Sequence, residues 1–297
     1  MIASPYADAL GRIPVRSHSA DVLGSDTWWW EYGDSDAPTT MVFVHGFRGD
    51  HHGLEPIVAG LPGVRVLMPD LPGFGRSGPL PEGGHGITGY SAWLAAFVAG
   101  LGLAEPPVVL GHSFGSIIVS AAVSAGMPVS RVVLVNPIGA PALEGPRGIM
   151  TRLAVLYYRA GAALPERAGF GLLRNRIVVR IMSMVMAKTR DPALRRWIHD
   201  QHDRYFSAFR DRDVVLQAFR ASVSHDVREY AADIRTPVLL VAAARDDITP
   251  IAAQHALQRR FADARLEVVP EVGHLIHYEA PERAARAVRT FLEEDPA

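Results

Sequence analysis

The sequence has no cysteine among its 297 residues. This absence excludes disulfide bonds, thiolate metal sites and a cysteine nucleophile, while it leaves the redox compartment open. No run of about 18 apolar residues is free of charge, so we expect no membrane span. The first ten residues also lack the basic stretch followed by an apolar stretch that marks a signal peptide, which favours a cytoplasmic protein.

A strong excess of charge of either sign is missing as well. Lys and Arg number 30 against 31 Asp and Glu, which gives a formal net charge of -1. No global field therefore favours a nucleic acid, an anionic membrane or an acidic substrate as a partner. Hydrophobic residues make up 48% of the chain, enough for a sizeable buried core. We expect a globular protein that acts on a small molecule, as a monomer or a homodimer.

Short apolar runs alternate with longer segments of helical period over most of the chain. This alternation is typical of the α/β class, in which helices flank a mostly parallel sheet. An antiparallel hairpin is predicted at the start, where Ile13–Ser19 and Thr27–Tyr32 flank Gly24-Ser25-Asp26. Functional residues are expected at the carboxyl ends of the later strands. These predicted strands are Thr40–Val44, Val64–Met68, Pro107–Leu110, Arg131–Val135, Pro237–Ala242 and Leu266–Val269.

Between residues 139 and 230 the alternation stops and helical spacing takes over, as in Ile149, Leu153, Leu156 and Tyr157. This pattern predicts a helical insertion of residues 139–230 in a core made of residues 1–138 and 231–297. The methionine-rich stretch from Arg180 to Met186 is interpreted as core filler in preference to the wall of a substrate tunnel, because Met fills irregular apolar space.

A GxSxG pattern formed by Gly111, Ser113 and Gly115 directly follows an apolar strand. The bare pattern is short enough to arise by chance. Here, however, a helix-forming run from Ile117 to Ala125 follows it. The glycines allow a sharp turn without crowding Ser113, and the helix directs N–H groups and its positive dipole end toward a developing oxyanion. The pattern therefore predicts a serine nucleophile.

A serine hydroxyl is a poor nucleophile until a base takes its proton, so a histidine and a group that orients it are required. His274 follows one predicted strand and Asp246 follows another, so both can project from the sheet edge that holds Ser113. Their order along the chain, Ser, Asp, His, is the order expected for a nucleophile on a strand-to-helix turn. Asp247 competes with Asp246, because only one of two adjacent carboxylates can point at the imidazole.

The other histidines are interpreted without a direct catalytic role. His45 is expected to brace its loop, and His112 to line the pocket beside the nucleophile. Asp70 is expected to be structural. Two groups have the composition of a metal site but lack a full ligand set at a recognisable spacing, so we interpret both as polar surface and expect no metal and no cofactor. They are Asp50, His51 and His52, and His199, His202 and Asp203.

The chain resembles the α/β-hydrolase family over nearly its whole length. The segments that carry the resemblance are VFVHGF at Val42–Phe47, PDLPGFGRSG at Pro69–Gly78, the GHSFG turn around Ser113, and GHLIHYEAPE at Gly273–Glu282. The resemblance implies that the backbone N–H groups of Phe47 and Phe114 form an oxyanion hole, and that residues 139–230 form a cap. It also favours Asp246 over Asp247, because the family's aspartate stands four positions before a proline, here Pro250.

The function expected from these features is cofactor-free hydrolysis of a small to medium, mainly apolar carboxylic ester through an acyl-enzyme. Related dehalogenases and epoxide hydrolases use an aspartate at the position of Ser113, which argues against both activities. Carbon–carbon hydrolase, lactonase and haloperoxidase- or lyase-like activities remain alternatives, as does a non-catalytic ligand receptor. The oxyanion segment His45–Gly49 has fewer glycines than in most carbon–carbon hydrolases, which makes that alternative weaker.

The predicted cap contains two apolar stretches, Ile149–Tyr158 and Ile177–Met186, which we expect to roof the pocket. An apolar roof predicts a preference that rises with acyl length. A substrate carboxylate is expected to be tolerated only if a cap arginine such as Arg174, Arg176 or Arg180 turns inward, and arginines mostly stay at the surface.

Overall fold

A computed structural model describes residues 2–81, 84–140, 148–209 and 211–294, with the side chains of 148–151 excepted. Eight strands form one sheet in the spatial order β1-β2-β4-β3-β5-β6-β7-β8. The pairs β1–β2 and β2–β4 are antiparallel and the remaining neighbours are parallel. The strands are β1 Val15–Val22, β2 Ser25–Tyr32, β3 Thr39–Val44, β4 Val64–Pro69, β5 Val108–His112, β6 Arg131–Val135, β7 Val238–Ala243 and β8 Ala264–Val269.

The helices connect these strands and cover both faces of the sheet. They are α1 Ala7–Leu10, α2 Glu55–Val58, α3 Ile87–Gly100, α4 Phe114–Ser124, α5 Gly148–Ala163, α6 Glu166–Leu173, α7 Arg176–Met186, α8 Pro192–Tyr205, α9 Arg212–Ser224, α10 Ile251–Gln258, α11 Ile276–Glu279 and α12 Pro281–Glu293. Within the described ranges, no helix has both the length and the apolar character needed to span a bilayer.

The apolar runs of the sequence become strands that are buried on both faces. Every residue of β5 and of β7 is buried, as expected for a parallel sheet with helices on each side. One face packs against α3 and α4 through residues such as Trp93 and Ile117. The other packs against α2 and α12 through residues such as Ile57 and Val288. The predicted α/β class and mostly parallel sheet are therefore confirmed.

The predicted hairpin is also present, with a shorter turn than expected. Val22 pairs with Ser25, so only Leu23 and Gly24 form the loop. Both have positive φ angles, 53° and 82°, as a two-residue turn that matches the twist of the strands requires. Ser25 and Asp26 therefore belong to β2, because the tight turn leaves them in register with β1.

In the described part of the span between β6 and β7 lie five consecutive α-helices, α5 to α9. They occupy most of the range 139–230 in which the sequence predicts helices; the side chain of Ile149 lies outside the described residues. Leu153 and Leu156 are 56% and 64% exposed, so they do not face a core. The apolar period of α5 thus overestimates how much of that helix is buried.

Candidate active site

The three candidate side chains meet at one edge of the sheet. Ser113 follows β5, Asp246 lies three residues beyond β7, and His274 lies five residues beyond β8. These strands are parallel members of one sheet. Because the carboxyl ends of parallel strands meet at the same edge, residues 28 to 161 positions apart in the chain come into contact there.

Ser113 occupies a sharp turn between β5 and α4. Its φ of 52° and ψ of -117° are unusual for a residue with a side chain, and such strain is found at functional sites. A Cβ at Gly111 would lie 2.5 Å from the Gly115 carbonyl oxygen, and a Cβ at Gly115 would lie 2.3 Å from the Val44 carbonyl oxygen. The glycines of the pattern are therefore required by the close approach of α4 to β3 and β5.

His274 links the serine to the carboxylate. Its Nε2 lies 2.8 Å from the Ser113 Oγ, and its Nδ1 lies 2.8 Å from the Asp246 Oδ2. His274 and Asp246 are 6% and 4% exposed. The arrangement has the geometry that a nucleophile, its base and an orienting carboxylate require: a hydroxyl, an imidazole within hydrogen-bond distance of it, and a carboxylate bonded to the imidazole.

Asp246 is held as a carboxylate by several donors. The backbone N–H groups of Ile248 and Thr249 donate to its Oδ1, while Asn136 Nδ2 and Thr249 Oγ1 donate to its Oδ2 at 2.8 and 2.6 Å. Burial by itself raises the pKa of Asp246, but the charge of His274 and the hydrogen bonds from His274 and Thr249 outweigh burial and hold that pKa well below its usual range.

Asp247 points away from His274. Its side chain is 52% exposed and forms an ion pair with Lys188. The backbone turn after β7 directs neighbouring side chains in different directions, so only Asp246 reaches the imidazole.

Asn136 is a polar neighbour that the sequence reasoning missed. It follows β6, is fully buried and adopts a positive φ of 45°. Its backbone N–H donates to the Val241 carbonyl oxygen at 2.8 Å, and its side chain donates to Asp246. A polar residue directly after a buried strand, followed by Pro137, is the signal that could have identified it.

Phe47 and Phe114 present their backbone N–H groups next to the serine turn. Within the described part of the chain, neither N–H donates to another group. Phe114 is the first residue of α4, where an N–H has no partner inside the helix. The two donors are thus available to a negatively charged oxygen.

His45 braces the loop that carries Phe47. Its Nδ1 lies 2.8 Å from the Gly46 carbonyl oxygen, and its Nε2 lies 2.8 Å from the backbone N of Leu71. The Leu71 N–H donates to Nε2, so Nδ1 carries the proton. Burial lowers the pKa of His45, which keeps the ring neutral. With both nitrogens occupied, His45 has no position left for proton transfer.

A cavity of about 190 Å³ opens next to Ser113 and His274 and has a mainly apolar lining. Part of its wall comes from the helical segment, through Met182 and Met186 of α7 and residues of α8. Met186 also packs against the buried cluster around Trp197, so core filling describes it in part, whereas the contribution of both methionines to the cavity wall was not expected. The described residues of Ile149–Tyr158 do not line this cavity, so the roof expected from that stretch is absent there.

His112 lines the cavity as expected. Burial, followed by repulsion from the nearby His274, lowers the pKa of His112 to about 3. The ring is therefore uncharged at neutral pH and can offer only a neutral hydrogen-bonding face to a bound molecule.

Arg48 is a buried charge that the sequence reasoning did not single out. It is 1% exposed, lines the cavity and stands next to Phe47 with a φ of 60°. Its Nε and Nη2 donate to the carbonyl oxygens of Phe206 and Leu173 at 2.9 and 2.8 Å, and its guanidinium lies 4.6 Å from the ring centroid of Phe206. Within the described residues, no carboxylate pairs with it. Arg48 therefore ties the loop of Phe47 to the helical segment through neutral acceptors and an aromatic face.

The three arginines considered as inward anchors do not line the cavity. Arg174 donates to the Phe209 carbonyl oxygen, Arg180 pairs with Asp203, and Arg176 is exposed. The inward arginine is instead Arg48, in the loop after β3. Asp50 also lines the cavity, so the cavity wall contains a positively and a negatively charged side chain.

The two groups interpreted as polar surface are largely buried. Asp50 and His51 are 4% and 3% exposed, and the potential ligand atoms of Asp50, His51 and His52 lie within 4.8 Å of one another. The Nδ1 and backbone N of His51 donate to Asp70, which is fully buried and has the structural role expected of it. His52 Nδ1 lies 3.2 Å from Asp50. His51 and His52 therefore form hydrogen bonds with carboxylates of the protein, Asp70 and Asp50, and do not depend on solvent for them.

His199 and His202 are buried on either side of a serine. Ser183 Oγ lies 2.6 Å from the Nδ1 of His199 and 2.7 Å from the Nδ1 of His202. The surface interpretation of this pair is wrong, because α7 packs against α8 and covers them. His202 also lines the cavity, and burial lowers its pKa to about 3.

The fold and this arrangement define a hydrolase architecture, and comparison with known proteins identifies the family. The chain belongs to the alpha/beta hydrolase family, whose model matches residues 41–287. It is 28% identical over 289 residues to the dihydrolipoyllysine-residue acetyltransferase component of the acetoin cleaving system of Pseudomonas putida, a match that covers 92% of this chain and 68% of that protein.

The chain is also similar to two further proteins. The chain is 31% identical over 171 residues to the magnesium-chelatase 30 kDa subunit of Rhodobacter capsulatus, a match that covers 55% of this chain and 58% of that protein. The esterase EaEST from Exiguobacterium antarcticum has a similar structure, with a TM-score of 0.74, 18% identity and coverage of 93% of this chain and 98% of that one. At that identity, the structural likeness concerns the fold alone.

Proposed function

We propose that this hydrolase cleaves small, mainly apolar carboxylic esters, with Ser113 as nucleophile, His274 as general acid and base, and Asp246 as the group that orients His274. The observation that carries the proposal is the continuous hydrogen-bonded chain from Ser113 Oγ through the imidazole to Asp246, at 2.8 Å for each link. Its position beside a cavity gives a substrate access to it.

In the first half-reaction, Ser113 Oγ attacks the ester carbonyl carbon while His274 Nε2 takes the hydroxyl proton. The carbonyl oxygen becomes an oxyanion that accepts hydrogen bonds from the N–H groups of Phe47 and Phe114. The intermediate then collapses: the carbon–oxygen bond to the alcohol breaks, and His274 gives its proton to the departing alcohol. An acyl-enzyme on Ser113 remains.

In the second half-reaction, a water molecule replaces the alcohol. His274 takes a proton from the water as its oxygen attacks the acyl carbon, and the same two N–H groups hold the second oxyanion. Collapse breaks the bond to Ser113 Oγ, which recovers its proton from His274, and the carboxylic acid leaves. Asp246 remains ionised throughout and stabilises the imidazolium.

The helical segment contributes to the cavity wall and so limits the substrates that fit. We propose that residues 139–230 act as the cap, since Met182 and Met186 contribute to the cavity wall. A cavity of about 190 Å³ is smaller than the several hundred Å³ that enclose drug-sized ligands. The acyl group that fits is therefore short, and each methylene that it buries contributes about 0.8 kcal/mol until the cavity is full.

The nucleophile is tested with Ser113→Ala, which removes the attacking oxygen and leaves the fold unchanged. Hydrolysis of p-nitrophenyl acetate is expected to fall by several orders of magnitude. A fluorophosphonate probe should label the wild-type protein at Ser113, as read by peptide mass spectrometry, and should not label the variant. Near-normal turnover in Ser113→Ala would contradict the mechanism, and an unlabelled wild type would favour a receptor over an enzyme.

Substrate size and charge are tested with acetyl, butyryl and hexanoyl esters, a succinyl half-ester, and a lactone and an amide of matched size. We expect kcat/KM to rise from acetyl to butyryl by about tenfold, as two buried methylenes predict, and to level off or fall at hexanoyl. The succinyl compound should be poor, because the guanidinium of Arg48 is already bonded to the helical segment and Asp50 lines the same cavity. If the succinyl compound is the best substrate, Arg48 is an anion anchor and the apolar-pocket proposal is wrong.

A further inference from the structure

Helix α7 presents apolar side chains on two opposite sides. Val179 and Ser183 are buried and Met182 and Met186 line the cavity, so this side of the helix faces inward. The other side carries four large apolar side chains that are 51% to 70% exposed, at the spacing i, i+4, i+7 and i+8 of a single helical stripe. These are Ile177, Ile181, Met184 and Val185.

The exposed apolar residues are concentrated in this part of the chain. Of the eleven large apolar side chains that stand exposed in the described ranges, seven belong to residues 153–185. Single exposed apolar residues are ordinary on a protein surface, but a stripe of them on one helix marks an interaction surface. Within the described residues, no partner therefore removes the outer side of α7 from water.

The same part of the chain is strongly basic. Residues 148–190 contain eight Arg and Lys residues and one Glu, a formal charge of +7 in a chain whose net charge is -1. Six of the arginines are exposed, and among the described residues only Arg180 and Lys188 of this segment pair with carboxylates, those of Asp203 and Asp247. The six are Arg152, Arg159, Arg167, Arg174, Arg176 and Arg190.

We propose that the outer surface of α5, α6 and α7 docks on an anionic lipid surface, with the apolar stripe of α7 at the level of the headgroups and the arginines paired with lipid phosphates. A helix with an apolar stripe and an arginine-rich surround has the composition of an interfacial helix. A second copy of the chain is a poor occupant, because a two-fold contact through this surface brings two segments of charge +7 together.

The surface lies close to the proposed active site. Met182 and Met186 contact the cavity from the inner side of the helix whose outer side would meet the lipid. The docked protein would therefore hold its cavity one helix away from the lipid. Docking does not depend on the chemistry of Ser113, so it can be tested separately from hydrolysis.

Docking is tested by co-sedimentation of the full chain with vesicles of phosphatidylcholine alone, or of phosphatidylcholine mixed with phosphatidylglycerol. We expect at least about tenfold tighter binding to the mixed vesicles, and weaker binding as salt is raised. The double variant Ile177→Ser/Ile181→Ser should bind the mixed vesicles about tenfold more weakly. The matched control is Leu23→Ser, which changes an apolar residue of 52% exposure in the β1–β2 turn and should bind like the wild type.

Neither Ile177 nor Ile181 lines the cavity, so both variants should hydrolyse a soluble short-chain ester at the wild-type rate, which also shows that they fold. Absence of vesicle binding, or equal binding to neutral and anionic vesicles, would overturn the proposal. A dimer in sedimentation velocity that is lost in the double variant would also overturn it and would assign the surface to self-association.

Discussion

At the scale of single residues, the site depends on how five donors surround one carboxylate. Asp246 accepts from His274, Asn136 and Thr249 and from two backbone N–H groups, whereas Asp247 is exposed and paired with Lys188. The two neighbours have the same chemistry and opposite environments. Position relative to the imidazole, and not acidity alone, therefore separates their roles.

The corresponding prediction compares Asp246→Asn with Asp247→Asn. The first removes the charge that orients and stabilises His274, so kcat for p-nitrophenyl acetate should fall by about 10⁴-fold. The second removes an exposed ion pair and should change kcat by less than about twofold. Steady-state kinetics of both variants provide the measurement, and a larger loss in Asp247→Asn would transfer the proposed role to that residue.

Thr249 provides a finer test of the same carboxylate. Thr249→Val keeps the shape of the side chain but removes the hydroxyl that donates to Asp246 at 2.6 Å. The loss of one hydrogen bond to a charged group costs about 1.5–3 kcal/mol, so we expect lower stability in urea unfolding and a smaller loss of kcat than in Asp246→Asn. An unchanged unfolding free energy would show that this hydrogen bond contributes nothing to the fold.

At the scale of elements, Arg48 connects the loop of Phe47 to the helical segment. Its acceptors belong to the end of α6 and to the residues after α8, and a longer contact of 3.3 Å reaches Tyr158 in α5. A guanidinium with five planar donors can join several such acceptors, which a single ammonium cannot do in the same geometry. The loop that carries Phe47 is thereby bonded directly to the helical segment.

We therefore expect Arg48→Met to affect both stability and turnover. The substitution leaves buried carbonyl oxygens without donors, at about 1–3 kcal/mol each, so the unfolding free energy in urea should fall. A small displacement of Phe47 should reduce kcat by about tenfold or more, and Arg48→Lys should restore part of it.

Arg76→Met is the control for Arg48, because Arg76 stacks on Trp28 at 3.5 Å and does not line the cavity. Its kcat should equal that of the wild type. If Arg48→Met loses stability but keeps its kcat, Arg48 is structural and does not position the oxyanion donors.

At the scale of the whole molecule, buried neutral histidines link stability to pH. The pKa of His112 and that of His202 are each lowered to about 3, by burial first and by neighbouring histidines next. Below their ordinary pKa near 6.5 the unfolded chain takes up protons that the folded protein does not. The unfolding free energy must therefore fall as the pH drops from about 6.5 toward 3.

Each such histidine contributes a slope of about 1.4 kcal/mol per pH unit in the middle of this range. His202 faces Ser183, His199, Arg180 and the ring of Tyr278. We expect the unfolding free energy of His202→Gln to be lower than that of the wild type at pH 7. Between pH 5.5 and 4.5, however, it should fall less steeply than that of the wild type, by about 1.4 kcal/mol less per pH unit. Urea unfolding at several pH values measures the slope, and parallel curves for the two proteins would contradict the prediction.

Charge distribution is a further property of the whole molecule. The net charge of -1 gave no reason to expect an anionic partner, yet residues 148–190 carry +7 and the remainder carries the opposite excess. A global sum cannot describe a surface on which charges are segregated, since electrostatic attraction acts over about a Debye length.

The sequence by itself determined the features whose cause is local. The turn at Ser113 requires a glycine two residues to each side, a strand directly before it and a helix directly after it. A short segment of sequence is therefore enough to identify its residues. The central strands β5 and β7 are mostly apolar because both of their faces are buried, which places their predicted bounds within two residues of the observed ones. The order of Ser113, Asp246 and His274 then follows from the succession of strands.

The tertiary structure alone decided which polar groups are buried and which side of each helix faces inward. Arg48 is 158 residues from Phe206, and Asn136 is 110 residues from Asp246, so no local pattern relates them. The apolar period of α7 is the same whether the helix covers a core, a cavity or an external surface. Its packing on α8 directs Met182 to the cavity, buries His199 and His202 and leaves Ile181 exposed, because only the position of neighbouring helices determines which side of it is removed from water.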